Sequence, residues 1–187
     1  MSIYSEGNKE LQQHFNEGPL AERMEQLIVH HELNDGDLAF IQSRDMFFIS
    51  TVGADGMPTV SYKGGAKGFV KVIDNVTLAF PGYDGNGMYL TAGNIEAYGK
   101  VGLLFIDMQS PQRLRLHGHA ETIVDDPLLE EYPEAKYIVR IHIENLFINC
   151  GRYIHEYEKN KESASVPKAG VVTPEPDWKD LEGPGSL

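Results

Sequence analysis

The sequence predicts a mainly β domain, a barrel or a sandwich, with helical or irregular additions at both ends. Three observations predict it. Short β-prone runs recur from Met46 onward with turn residues between them. A run with apolar residues at helical spacing precedes them, and a Pro-, Gly- and Ser-rich tail follows. With 187 residues, 41% hydrophobic and 24% charged, the chain has ordinary globular composition and the length for one domain with appendages.

In chain order, "GPLAERMEQLIVHHELND" places Pro19 near a helix start and Leu20, Met24, Leu27 and Ile28 on one face, which predicts an amphipathic helix packed on a core. Its "VHHE" segment, Val29 to Glu32, reads as helix surface, since adjacent histidines on a helix point in different directions. "DGDLAFIQSRD" reads as a second short helix capped by Asp37. "MFFISTVGADGMPTVSYKG" predicts a hairpin whose turn is "GADGMP". Further strands are expected at "GFVKVI", "VTLAF", "KVGLLFID", "RLRLHGHAETIVD" and "KYIVRIHIENLFI". The tail from Lys161 cannot build a core and reads as an arm laid along a partner subunit. The expected division is therefore a helical segment over 1–36, the β domain over 37–160 and an arm over 161–187.

The formal net charge of -12 argues against nucleic acid or anionic membrane as a partner, because both attract a basic field. The expected partner is a small molecule. The polar start carries no apolar signal region and no run is long enough to cross a bilayer, so a cytoplasmic protein is expected. A single cysteine, Cys150, excludes an internal disulfide and reads as a packing residue.

Three stretches carry chemistry. From Pro58 to Ile73 there is no Asp or Glu, while Lys63, Lys67 and Lys71 fall inside, which suggests either an anion site or chance clustering on a solvated strand. "FPGYDGNGMYLTAGNI" holds four glycines between two strands; it is either a plain connection or a loop whose backbone approaches a ligand. In "RLRLHGHA" the two-residue period sends Arg113, Arg115, His117 and His119 to one face and Leu114, Leu116, Gly118 and Ala120 to the other. The basic face is either a solvated exterior or a crevice wall that meets phosphate or carboxylate. His117 and His119 have the spacing of metal ligands, but no third ligand stands nearby and no metal site is assigned.

The succession of P-x-V-S-x-K-G, G-F-V, a strand ending in Pro, G-N, G-N-I, G-L-L-F and L-R-x-x-G-x-A resembles the FMN-binding split barrels of the pyridoxamine 5'-phosphate oxidase-like family. "INCGRYIH", Ile148 to His155, is similar to a segment of many uncharacterised members, and the likeness runs from about residue 37 to 160. The resemblance implies a split β-barrel that is homodimeric, with FMN at the subunit interface and hydride transfer at flavin N5. It implies that Ser61, Tyr62, Lys63 and Gly64 meet the FMN phosphate and ring edge, with Lys63 foremost. Gly85 and Asn86 match the loop that carries an Arg-Lys pair in the oxidase proper, a pair absent here. Arg113 falls near the flavin ring, where the oxidase has Gln, and Arg115 holds phosphate or the partner chain.

A helix starting near Asn94 would aim its amides at the phosphate. The oxidase's substrate-binding ending, a Trp followed by Arg-Leu-x-Pro, is missing, and Trp178 stands alone. The reading is therefore an FMN-dependent oxidoreductase with no assigned substrate or catalytic residue. Its alternatives are a flavin- or haem-binding module without turnover, or a deazaflavin-dependent reductase that uses Lys67, Lys71 and the Arg strip.

Overall fold

Seven antiparallel strands form one sheet in the order β2-β1-β5-β6-β7-β4-β3. The computed structural model describes residues 2–176 and 179. The strands are β1 (Met46–Val52), β2 (Pro58–Gly64), β3 (Lys71–Asp74), β4 (Thr77–Gly82), β5 (Lys100–Asp107), β6 (Gln112–Ile123) and β7 (Tyr137–Asn149). Among the described residues four α-helices accompany them, α1 (Glu6–His14), α2 (Gly18–Ile28), α3 (Asp35–Gln42) and α4 (Leu90–Tyr98), with a short 3-10 helix at Pro127–Glu131. One continuous core draws on β1, β4, β5, β6 and β7 together with Ile41 of α3 and Ile95 of α4. The sheet thus wraps around a single core as a barrel, split between its two end strands, β2 and β3.

Alternation explains the wrap. On β1, buried Phe47, Ile49 and Thr51 alternate with half-buried neighbours, and on β5 Val101, Leu103 and Phe105 do the same. Phe47 sits at the centre, with ring centroids 5.8 Å from Phe69, 5.1 Å from Phe80 and 5.1 Å from Phe105. The run "GFVKVI" is only half strand: Phe69 and Val70 are buried core residues on the loop 65–70, and β3 begins at Lys71. Phe69 plugs the barrel instead of pairing.

The long β6–β7 ribbon carries a bulge. His117 faces Asn145, but the next pair is Gly118 with Ile143, which leaves Glu144 as the extra residue. Glu144 reaches His119 Nε2 at 3.0 Å. A Cβ on Gly118 would lie 2.2 Å from the carbonyl oxygen of His142, so only glycine allows the two strands this approach.

The N-terminal segment departs from the expectation drawn from its periodicity. α2 starts at Gly18 with Pro19 in its first turn, near the start as expected, but none of its residues is buried, and Leu20, Met24 and Leu27 are exposed by 43%, 39% and 72%. The helix ends at Ile28, so His30 and His31 do not form a helix surface. His30 pairs with Leu146 through backbone hydrogen bonds of 3.0 and 2.9 Å, and its Nε2 meets the buried Asp37 carboxylate at 2.7 Å. The cap of α3 is Asn34, whose Oδ1 accepts from the amides of Gly36 and Asp37; Asp37 completes the capping box from inside the helix.

The arm lies on its own chain in the described residues. Tyr157 donates its amide to Met108 O at 2.9 Å, and Thr173 donates its own to Glu134 Oε1 at 3.0 Å. Trp178 lies outside the described residues. Among those described, no helix is long and apolar enough to cross a membrane.

Candidate functional site

A cleft of about 1370 Å³ opens where the ends of β2 and β4, the glycine-rich loop, the β5–β6 turn and the arm meet. Ser61, Tyr62, Lys63, Gly64, Gly85 and Asn86 all line it. The acid-free strand and the bare loop, far apart in sequence, thus face one space.

Lys63 is its focus. β2 ends at Gly64, and the half-buried Lys63 side chain reaches across to the start of α4, where Nζ donates to Thr91 Oγ1 at 3.1 Å. Thr91 in turn donates to Ser61 Oγ at 3.1 Å. No carboxylate pairs with Lys63 among the described residues. Burial pushes its pKa below the usual lysine value, because an ammonium that has lost water gains no opposite charge in return.

Helix α4 begins at Leu90, four residues before the expected start, because Tyr89 takes a left-handed φ of 48° and turns the chain into the helix there. No side chain caps this end, so its first amides are left for another acceptor. Asn94 lies inside the helix and donates to Thr51 Oγ1 at 3.0 Å, while Thr51 and Thr59 share a 2.8 Å hydroxyl contact. This polar anchor fixes α4 against the β1–β2 hairpin and so fixes Thr91 relative to Lys63.

The loop glycines divide by role. A Cβ on Gly82 would lie 2.1 Å from the Tyr137 ring, a demand of packing alone. Nothing lies within 4 Å of a Cβ built on Gly85, and Gly87, with φ of 76°, is equally open. Across the cleft, Arg44 Nη1 pairs with Asp107 Oδ2 at 2.7 Å. Asp84 is held by Lys136 and Lys179, and hydrogen bonds from Lys136 and then Lys179 bring its pKa down to about 2.

The remaining candidates stand elsewhere. Lys71 pairs with Glu131 at 2.7 Å and does not line the cleft. Arg113 is paired in register with Ile106, a lining residue, but stays outside the lining itself, with its buried Nε lacking a partner. Arg115 occupies the sheet's outer face in a transverse row of Tyr62, Phe48, Leu104, Arg115 and Phe147, its guanidinium 5.7 Å from the Phe147 ring. His117 lies edge-on to Phe147, and burial, followed by the Arg115 charge, lowers its pKa. Thr91 was missed by sequence reading; its signal is a hydroxyl in the first turn of a helix that follows a glycine-rich loop.

Residues 34–168 match the family model described as pyridoxamine 5'-phosphate oxidase. No curated protein matches the chain. Among solved structures, the fold is similar to HupZ of Group A Streptococcus, with a TM-score of 0.52 and 20% identity over 67% of this chain and 99% of that one. It is also similar to a candidate pyridoxamine 5'-phosphate oxidase of Lactobacillus delbrueckii, with a TM-score of 0.51 and 26% identity over 62% of this chain and 93% of that one. The family match spans every strand of the split barrel and the whole Lys63 cleft, and the chain belongs to the pyridoxamine 5'-phosphate oxidase family.

Proposed function

We propose that this protein is an FMN-binding oxidoreductase of the pyridoxamine 5'-phosphate oxidase family, acting on a small molecule. The observation that carries the reading is Lys63, a half-buried cation whose partner is a hydroxyl and not a carboxylate, set in a cleft beside an uncapped helix start. A phosphate dianion fits that vacancy of charge: the ammonium, the hydroxyls of Thr91 and Ser61, and the first amides of α4 are all donors. Open space around Gly85 and Gly87 leaves the loop backbone accessible to the same group.

When bound, FMN supplies hydride chemistry at N5. The chain's own residues bind and orient it. Lys63 neutralises the phosphate, Ser61 and Thr91 fix its direction, and Tyr62, Gly64, Gly85 and Asn86 border the rest of the molecule. No acid or base is assigned.

A homodimer is part of the proposal. Val60 and Tyr62 of β2 are exposed by 70% and 61% on the sheet's outer face, beside Phe48 and Leu104, and a second copy would cover them. In that arrangement Arg113 and Arg115 reach the cofactor or the partner chain from the subunit boundary. A deazaflavin with its longer acidic tail is less well served, because Lys71 is engaged by Glu131 and both arginines lie outside the cleft of their own chain.

The test is a titration of apo-protein with FMN. Lys63→Ala is expected to weaken FMN binding by about tenfold or more, as loss of a charged hydrogen bond worth about 1.5–3 kcal/mol requires. An affinity unchanged within about twofold removes Lys63 from the phosphate site.

A further inference from the structure

We infer that the C-terminal arm makes a second anion subsite in the cleft, in which Lys161 and Lys67 take the phosphate or carboxylate of the molecule that exchanges electrons with the flavin. The inference rests on the flavin reading above. Its own basis is how charges in the cleft are paired.

The arm crosses the cleft under restraint. Just before it, Tyr157 is held to Met108 and Lys159 pairs with Asp45 at 2.5 Å; farther along, Thr173 is held to Glu134 and Lys179 to Asp84, while Lys168 pairs with Glu162 at 2.8 Å within the arm itself. Lys161 lies between the first pair of anchors and the second, and it lines the cleft with its neighbour Glu162. These contacts also remove negative charge from the lining. Asp45 is neutralised by Lys159, Asp107 by Arg44, Glu162 by Lys168, and Asp84 by Lys136 and Lys179.

What is left over is cationic. Among the described residues, Lys63, Lys67 and Lys161 line the cleft without a carboxylate partner, against Glu158 alone among the lining carboxylates. In a chain of net charge -12, such a reversal concentrates small anions at one place. The flavin phosphate accounts for Lys63. Lys67, on the loop 65–70, and Lys161, on the arm, remain for a second anionic group, and both are exposed enough to follow it.

The experiment uses the FMN-loaded full chain, with inorganic pyrophosphate and malonate as probes for phosphate and carboxylate, and reads the flavin difference spectrum. At low salt at least one probe is expected to bind, and Lys161→Gln and Lys67→Gln are each expected to weaken it by about three- to fivefold, the scale of an exposed charge contact. FMN affinity should stay within about twofold in both variants, and Lys9→Gln on α1, outside the cleft, should change neither. Thermal melting of each variant confirms that it folds. Probe affinity insensitive to Lys161→Gln overturns the inference, as does a loss of FMN affinity in Lys161→Gln equal to that in Lys63→Ala. If the wild-type chain binds no FMN, the flavin reading fails by that result alone. Calorimetric titration of pyrophosphate into the unloaded chain, with and without Lys161→Gln, then tests the subsite on its own.

Discussion

Lys63 sets the pH behaviour of the site. Its pKa is lowered in the folded apo-protein from an ordinary 10.5, so the charged form is disfavoured by folding. As pH rises through the lowered value toward 10.5, the apo-protein is relieved of that burden and gains stability from this group. In the proposed site a flavin phosphate would favour the charged form, so FMN affinity should fall as pH rises through the lowered value. Other lysines and tyrosines titrate there too, which makes the difference between wild type and Lys63→Met the informative quantity. Equal pH profiles for the two proteins would show that Lys63 does not carry this linkage. Lys63 was legible as a residue because its neighbourhood in sequence holds no acid, but its partner Thr91 was not, since only the fold brings positions 63 and 91 together.

At the scale of elements, the strands were easier to read than the helices, and for a physical reason. The alternation in "KVGLLFID" reports burial on one face of a sheet, and β5 spans those residues. The same logic failed for α2, whose apolar stripe is real but has no surface to cover in a single chain. The α4 boundary was misplaced because it depends on the left-handed backbone at Tyr89, which no local residue preference announces. The bulge in β7 was equally hidden, yet Gly118 within "HGHA" is where it is enforced. Gly118→Ala should destabilise the protein by at least about 2 kcal/mol in chemical denaturation, because the new methyl meets backbone and not a movable side chain. A loss below about 0.5 kcal/mol would mean that the β6–β7 ribbon can relax there.

For the whole molecule, the division of charge is the organising feature. The acidic surplus lies across the chain, while in the cleft, among the described residues, every lining carboxylate but Glu158 is paired and Lys63, Lys67 and Lys161 have no carboxylate partner. The arm takes part in that arrangement through its contacts with its own chain. Sequence alone gave no way to see this, because the arm has no periodic pattern and its anchors are single polar contacts. Family membership and split barrel were both legible from the order of short motifs, whereas the placement of Arg113 and Arg115 outside the lining of their own chain's cleft was not. Whether this cleft holds FMN is read directly from the visible absorption spectrum of the purified protein, followed by chromatography of what heat releases. A flavin spectrum with FMN in the supernatant is the predicted result. A protein that is colourless, and remains so after incubation with FMN, contradicts it.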